Sequence, residues 1–252
     1  MSGHLTILTG ASRGMGLAMA QQLLHPDHTL IGLSRQHHDG LAQQALAQGA
    51  KLEQWQQDLA DSCTAAARLR QWLQAQPVGA FASATLINNA GTIPPIAPLS
   101  ASDPAALAQA LRVNLEAPML LTAAFLAATE SWPVPRKVLN ISSGLGRRAM
   151  ASQSAYCAAK AGLDNLSRCV ALDEALKPNG AKICALAPGV IDTDMQLQLR
   201  GAAPDDFPDA HNFAALQAAG MLTPAHEAAA RVLAWLQRPD FGSLPVADVR
   251  LD

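Results

Sequence analysis

The order of its apolar segments is what most limits the folds open to this chain. Short β-prone runs recur, each followed by a stretch with helical spacing and then by turn residues. Leu5–Thr9, Thr29–Leu33, Lys51–Trp55, Thr85–Asn88, Lys137–Ser142 and Ala181–Leu186 read as strands. Helices are expected over Leu17–Leu24, from Asp39 to Gln48, from Asp61 to about Gln74, from about Ser102 to Thr129, and from about Ser154 to Leu176. Asp39, Asp61 and Thr223 are placed as helix caps, the last opening a helix that ends at Leu236, and Val246–Leu251 is a candidate final strand. Repeated β-then-α order implies parallel strands joined by right-handed crossovers. The expected fold is α/β: one open, doubly wound, mainly parallel sheet of about seven strands with helices on both faces. In such a sheet ligands bind beyond the carboxyl ends of the strands, where strand order switches.

The 252 residues fit a single domain spanning 1–252. Gln196–Gly220 breaks the alternation with Gly201, Pro204 and Pro208, and is expected to be a lid over a substrate. The formal net charge of -2, without a run of either sign, argues against a nucleic-acid partner. The N-terminus lacks the basic start and cleavage site of a signal peptide, and the apolar run Ala117–Thr129 is short for a membrane span. Cys63, Cys157, Cys169 and Cys184 show no C-x-x-C spacing, and the histidines show no metal-ligand spacing, so free thiols, no metal and a cytoplasmic location are expected.

Between the first strand and the first helix lies Thr9-Gly10-Ala11-Ser12-Arg13-Gly14-Met15-Gly16. Phosphate binding needs backbone N–H donors, close approach and the positive end of a helix, and this loop supplies them. Its spacing is G-x-x-x-G-x-G, not the commoner G-x-G-x-x-G. Enzymes using NAD place an acid after the second strand to hold the ribose hydroxyls. Here that strand ends Leu33-Ser34-Arg35, so Arg35 and Arg13 are expected to pair with a 2′-phosphate, making the cofactor NADP(H). The alternative is that Arg35 is an ordinary surface arginine.

Tyr156 is the sole tyrosine, and Lys160 follows it by one helical turn on the same face. Reducing a carbonyl takes a hydride and a proton, and a tuned tyrosine can give the proton. A neighbouring ammonium, together with a bound nicotinamide cation, is expected to lower the phenol from its ordinary value of about 10 toward neutrality.

Taken together, Thr9–Gly16, Asn88-Asn89-Ala90-Gly91, Ser143, Tyr156-x-x-x-Lys160 and Pro188-Gly189 followed by Thr193 resemble the classical short-chain dehydrogenase/reductases, with a Rossmann-type fold, over essentially the whole chain. The resemblance implies Tyr156 as general acid/base, Ser143 as hydrogen-bond donor to the substrate carbonyl, and Lys160 on the nicotinamide ribose. It implies Asn114 as support for a proton-relay water. It places Gly10, Ser12, Arg13, Gly14, Met15, Gly16, Ser34, Arg35, Asp58, Leu59, Asn89, Ala90, Gly91, Pro188, Gly189, Val190 and Thr193 along the dinucleotide, with Tyr156 and Lys160 at its nicotinamide end. Tyr156-Cys157-Ala158-Ala159-Lys160 and Ala187–Gln196 are similar to sepiapterin reductases and related bacterial diketone reductases. That similarity suggests a C-terminal aspartate as substrate anchor, with Asp248 and Asp252 competing.

The expected activity is NADPH-dependent reduction of a ketone or dicarbonyl. Oxidation of a secondary alcohol and a non-catalytic NADP(H) sensor are the alternatives. Ala- and Leu-rich helices Ala105–Thr129 and Ser154–Leu176, with the family resemblance, suggest a homodimer or homotetramer.

Overall fold

The structure, a computed structural model, describes residues 3–203 and 205–251; Pro204 and Asp252, both singled out in the sequence, lie outside the described residues. Seven strands form one parallel sheet in the order β3-β2-β1-β4-β5-β6-β7. They are β1 (Gly3–Thr9), β2 (His28–Ser34), β3 (Lys51–Gln56), β4 (Phe81–Asn88), β5 (Arg136–Ile141), β6 (Lys182–Ala187) and β7 (Val246–Asp248). The first three strands build outward from β1, and β4 returns to its other side. The switch in strand order therefore falls between β1 and β4, beyond whose carboxyl ends the ligand cleft is expected.

Helices cover both faces. α1 (Gly14–Leu23), α2 (Asp39–Ala47) and α9 (Ala225–Gln237) pack with Leu8, Leu30, Ile87 and Leu186 on one side. α3 (Ser62–Gln74) and α5 (Ala117–Thr129) pack with Leu5, Ile7, Ile31 and Leu86 on the other, together with α4 (Pro104–Leu111) and α6 (Ser154–Ala175). Alternate residues of β1 feed opposite cores, so both faces of the strand are buried and it reads as a nearly unbroken apolar run.

Several local expectations need correction. α2 is capped by His38, whose Nδ1 accepts from the Leu41 amide at 3.0 Å; Asp39 lies inside the first turn, where its charge meets the positive helix end. Thr223 is not a cap, because its backbone bridges to Val190 and Asp192, and α9 starts after Pro224. Asp61 does cap α3, accepting from the Thr64 amide at 3.4 Å. α4 is capped by Asp103 and joins α5 through a π-helical turn, Arg112–Glu116. Pro104–Thr129 is thus one helical run, long and apolar enough by length and composition to cross a membrane, but Leu121 and Phe125 on it are fully buried in the sheet core. The segment Gln196–Gly220 is not irregular throughout. It contributes most of α7 (Asp194–Arg200) and all of α8 (Ala210–Ala218), held by a buried Phe207–Phe213 stack at 5.7 Å.

Candidate active site

One cleft of about 1080 Å³ opens beyond the carboxyl ends of β1, β2, β4, β5 and β6. That exceeds the roughly 300–1,000 Å³ typical of pockets for drug-sized ligands. The residues expected along a dinucleotide, from Gly10 through Arg35, Asp58, Leu59 and Asn89–Gly91 to Pro188–Thr193, all line it.

The glycine loop is built by close backbone packing. Gly10 sits at φ +72°, and a Cβ on Gly16 would collide with the Gly10 carbonyl oxygen and the Asn89 amide. Asn89 staples β1 to β4. Its Nδ2 donates to the Thr9 carbonyl at 3.0 Å, while the amides of Asn89 and Ala90 donate to Thr9 Oγ1 at 2.9 and 3.0 Å. The N-terminus of α1 points at the cleft with no acidic residue in its first turn, which leaves its positive end free for an anion. Arg13, expected at a 2′-phosphate, lines the cleft and forms an exposed ion pair with Asp194 of α7 at 2.6 Å. Ser34 and Arg35 line the cleft with no acid beside them at the end of β2.

Across the cleft, α6 delivers Tyr156 and Lys160. It is held to the sheet by buried polar bonds. Asn88 Nδ2 donates to Asn140 Oδ1 at 2.8 Å, Asn140 Nδ2 to Ser167 Oγ at 2.9 Å, and the Ser142 hydroxyl to Asp164. Lys160 is buried, donates to the Ile141 carbonyl at 2.7 Å, and its Nζ lies 5.6 Å from the centre of the Tyr156 ring. Ser143 Oγ accepts from the Leu145 amide at 3.1 Å, and its side chain favours the ionised form of the Tyr156 phenol. The expected lowering of the phenol is not present in the protein alone: burial pushes Tyr156 up to about 12, outweighing the opposite influence of Ser143. Burial pushes Lys160 down to about 8, with Asp164 acting the other way.

A family model described as short chain dehydrogenase matches residues 4–203. The chain is 37% identical to a benzil reductase ((S)-benzoin forming) of Bacillus cereus, over 89% of this chain and 90% of that protein. It is 33% identical to a sepiapterin reductase of Xenopus tropicalis, over 80% and 79%. A crystal structure of a short-chain dehydrogenase/reductase from Burkholderia vietnamiensis superposes with a TM-score of 0.65 at 35% identity, covering 99% of this chain and 98% of that one.

The chain belongs to the short-chain dehydrogenase/reductase family. This short-chain dehydrogenase/reductase is an oxidoreductase acting on carbonyl or CH–OH groups.

Two residues from the sequence reading stand apart from the cleft of this reductase. Asn114 is fully buried on the π-helical turn and does not line the cleft. Its Nδ2 donates to the Thr92 carbonyl at 2.7 Å and its Oδ1 accepts from the Thr92 amide at 3.0 Å, so the side chain holds the loop after β4. Asp248 is buried and its carboxylate is bound by Arg250 at 2.8 and 2.7 Å, which keeps it well below the usual carboxylate range. Arg250 reaches the cleft; Asp248 lies behind it.

Other cleft residues were not named individually from the sequence, although Leu199 and Phe213 lie in the segment expected to cover the substrate. Ile93, Leu145, Leu199 and Phe213 form an apolar wall around Tyr156, and Gln153 lines the cleft at the start of α6. One sequence signal for Gln153 existed. It occupies the N-cap position, where a short Ser, Thr, Asp or Asn is usual, and makes no capping bond there.

Proposed function

We propose that this protein reduces a ketone or vicinal dicarbonyl using NADPH, with Tyr156 as the proton donor. The observation that carries the reading is the placement of Tyr156, sharing the cleft with Ser143 and beside buried Lys160, where the apolar wall meets the nucleotide-sized cleft. When bound, the reduced nicotinamide nucleotide supplies the hydride. Tyr156 gives its phenolic proton to the carbonyl oxygen, and the Ser143 hydroxyl donates a hydrogen bond to the same oxygen. The Lys160 ammonium stabilises the tyrosinate left behind, and the apolar wall excludes water.

The open positive end of α1 suits a pyrophosphate, and Arg35 suits a 2′-phosphate. The names of the bacterial and vertebrate relatives, benzil reductase and sepiapterin reductase, support a carbonyl acceptor. α7 and α8 act as the substrate lid. Exposed Leu111, Met119, Leu172 and Leu176 on and beside α4, α5 and α6 support a homodimer or homotetramer.

The direct test follows NADPH absorbance with benzil, diacetyl or sepiapterin, against NADH as competitor cofactor. The expected result is turnover of at least one substrate with NADPH preferred. Binding of NADPH without turnover on all of them would make the protein a nucleotide sensor, and a preference for NAD with secondary alcohols would reverse the direction.

A further inference from the structure

Gln153 is the most anomalous polar group in the cleft. It is only 1% exposed, yet neither its Nε2 nor its Oε1 has a hydrogen-bond partner among the described residues. Its carbonyl accepts from the Cys157 amide at 2.8 Å, and its side chain takes no part in capping. A buried amide without partners destabilises a fold by roughly 1–3 kcal/mol. Such a group is retained where something outside the fold meets it.

The position says what that something is. Gln153 lies one helical turn before Tyr156, and both side chains line the same cleft. A second buried amide, Gln196 on α7, lines the cleft from the opposite segment and also has an unpartnered Oε1. Between them Ile93, Leu145, Leu199 and Phe213 form an apolar wall around Tyr156. Among the described residues, no buried cation in the cleft is free to take a carboxylate. Lys160 is bonded to the Ile141 carbonyl, Arg250 is held by Asp248, and Arg148 is exposed. A neutral amide in such surroundings matches a neutral oxygen.

We infer that Gln153 is a specificity-determining residue: its amide receives the second, non-reacting oxygen of an uncharged vicinal dicarbonyl while Tyr156 protonates the first. This rests on the carbonyl-reductase reading above and names the substrate class within it. A site built to hydrogen-bond a polar group discriminates strongly against the analogue lacking it, because its own buried group is then left unpaired.

The test compares benzil with deoxybenzoin, in which one carbonyl is replaced by a methylene, in wild type and in Gln153→Met. A diketone is intrinsically the more electrophilic substrate, so the wild-type ratio alone decides nothing; its change on mutation does. The benzil-to-deoxybenzoin ratio of kcat/KM is expected to fall by about tenfold or more. The melting temperature of the nucleotide-free variant is expected to equal or exceed wild type, because an orphaned amide has been replaced by an apolar chain of similar length.

An unchanged ratio in an enzyme that still reduces benzil overturns the inference and leaves carbonyl reduction standing. A lower melting temperature, or failure to fold, overturns it too, because the amide would then be serving the fold. Wild type that consumes NADPH with neither ketone removes the underlying reading, and the inference with it.

Discussion

The two sides of the cleft treat their polar groups in opposite ways. On the glycine-loop side the polar side chains around Thr9 are spent on the protein itself, and Ser34 Oγ at the end of β2 is the buried atom left without a partner among the described residues. Thr9 receives two amides, Asn89 reaches back to β1, and Asn114 clamps Thr92. On the side formed by α7 and the start of α6, Gln153 and Gln196 keep buried atoms without partners among apolar neighbours. The first side is a finished scaffold that presents backbone amides and a helix end to a ligand. The second carries unsatisfied hydrogen-bonding capacity that a ligand is needed to fill. Lys160 and Tyr156 stand where the two meet, and burial shifts each against its charged form.

The scaffold side should break most severely. Gly16→Ala places a methyl against the Gly10 carbonyl and the Asn89 amide, which are backbone and a bonded side chain. It should destabilise the fold by about 1–3 kcal/mol in urea unfolding and abolish measurable NADPH binding by titration. Normal NADPH affinity in that variant would mean that the loop packs less tightly than described.

At the meeting point, pH supplies a second break. In the proposed mechanism the Lys160 ammonium stabilises the tyrosinate formed during reduction, and burial holds the Lys160 pKa down to about 8. Tyr156, pushed up to about 12, stays protonated across the accessible range. Reduction should therefore be level below that lysine value and lose up to about tenfold in kcat/KM per unit above it. A profile that stays level to about pH 10 would remove the need for a charged Lys160.

The smallest effect lies at the bridge between the two sides. Arg13 and Asp194 are both exposed, so Asp194→Asn should leave stability within about 0.5 kcal/mol of wild type. It frees Arg13 for a 2′-phosphate. NADPH affinity should tighten a fewfold at low salt while NADH affinity stays the same. Equal changes for both nucleotides would take Arg13 away from the 2′-phosphate.

The same division explains what was legible in the sequence. The alternation of strands and helices, the glycine loop and the Tyr156–Lys160 register are written in local spacing, and local spacing survives reading without a structure. The Arg13–Asp194 pair joins residues 181 apart, and nothing near Arg13 announces it. Asp248 looked available for substrate, but Arg250, two residues along, takes its carboxylate once the chain turns after β7. α7 and α8 were read as irregular because Gly201 and the prolines dominate that stretch. Burial of Phe207 and Phe213 against the cleft wall, a tertiary effect, orders it. The upward push of burial on Tyr156 in the protein alone was not legible, because a neighbouring ammonium is visible in sequence and depth of burial is not.

The central claim is that Tyr156 moves the proton and does not hold the nucleotide scaffold together. Tyr156→Phe keeps the ring in the apolar wall and removes only the hydroxyl. Measured side by side, the variant should bind NADPH within about twofold of wild type while kcat for a ketone falls by roughly 10²–10⁴. A kcat within a fewfold of wild type, with NADPH binding intact, would contradict the account.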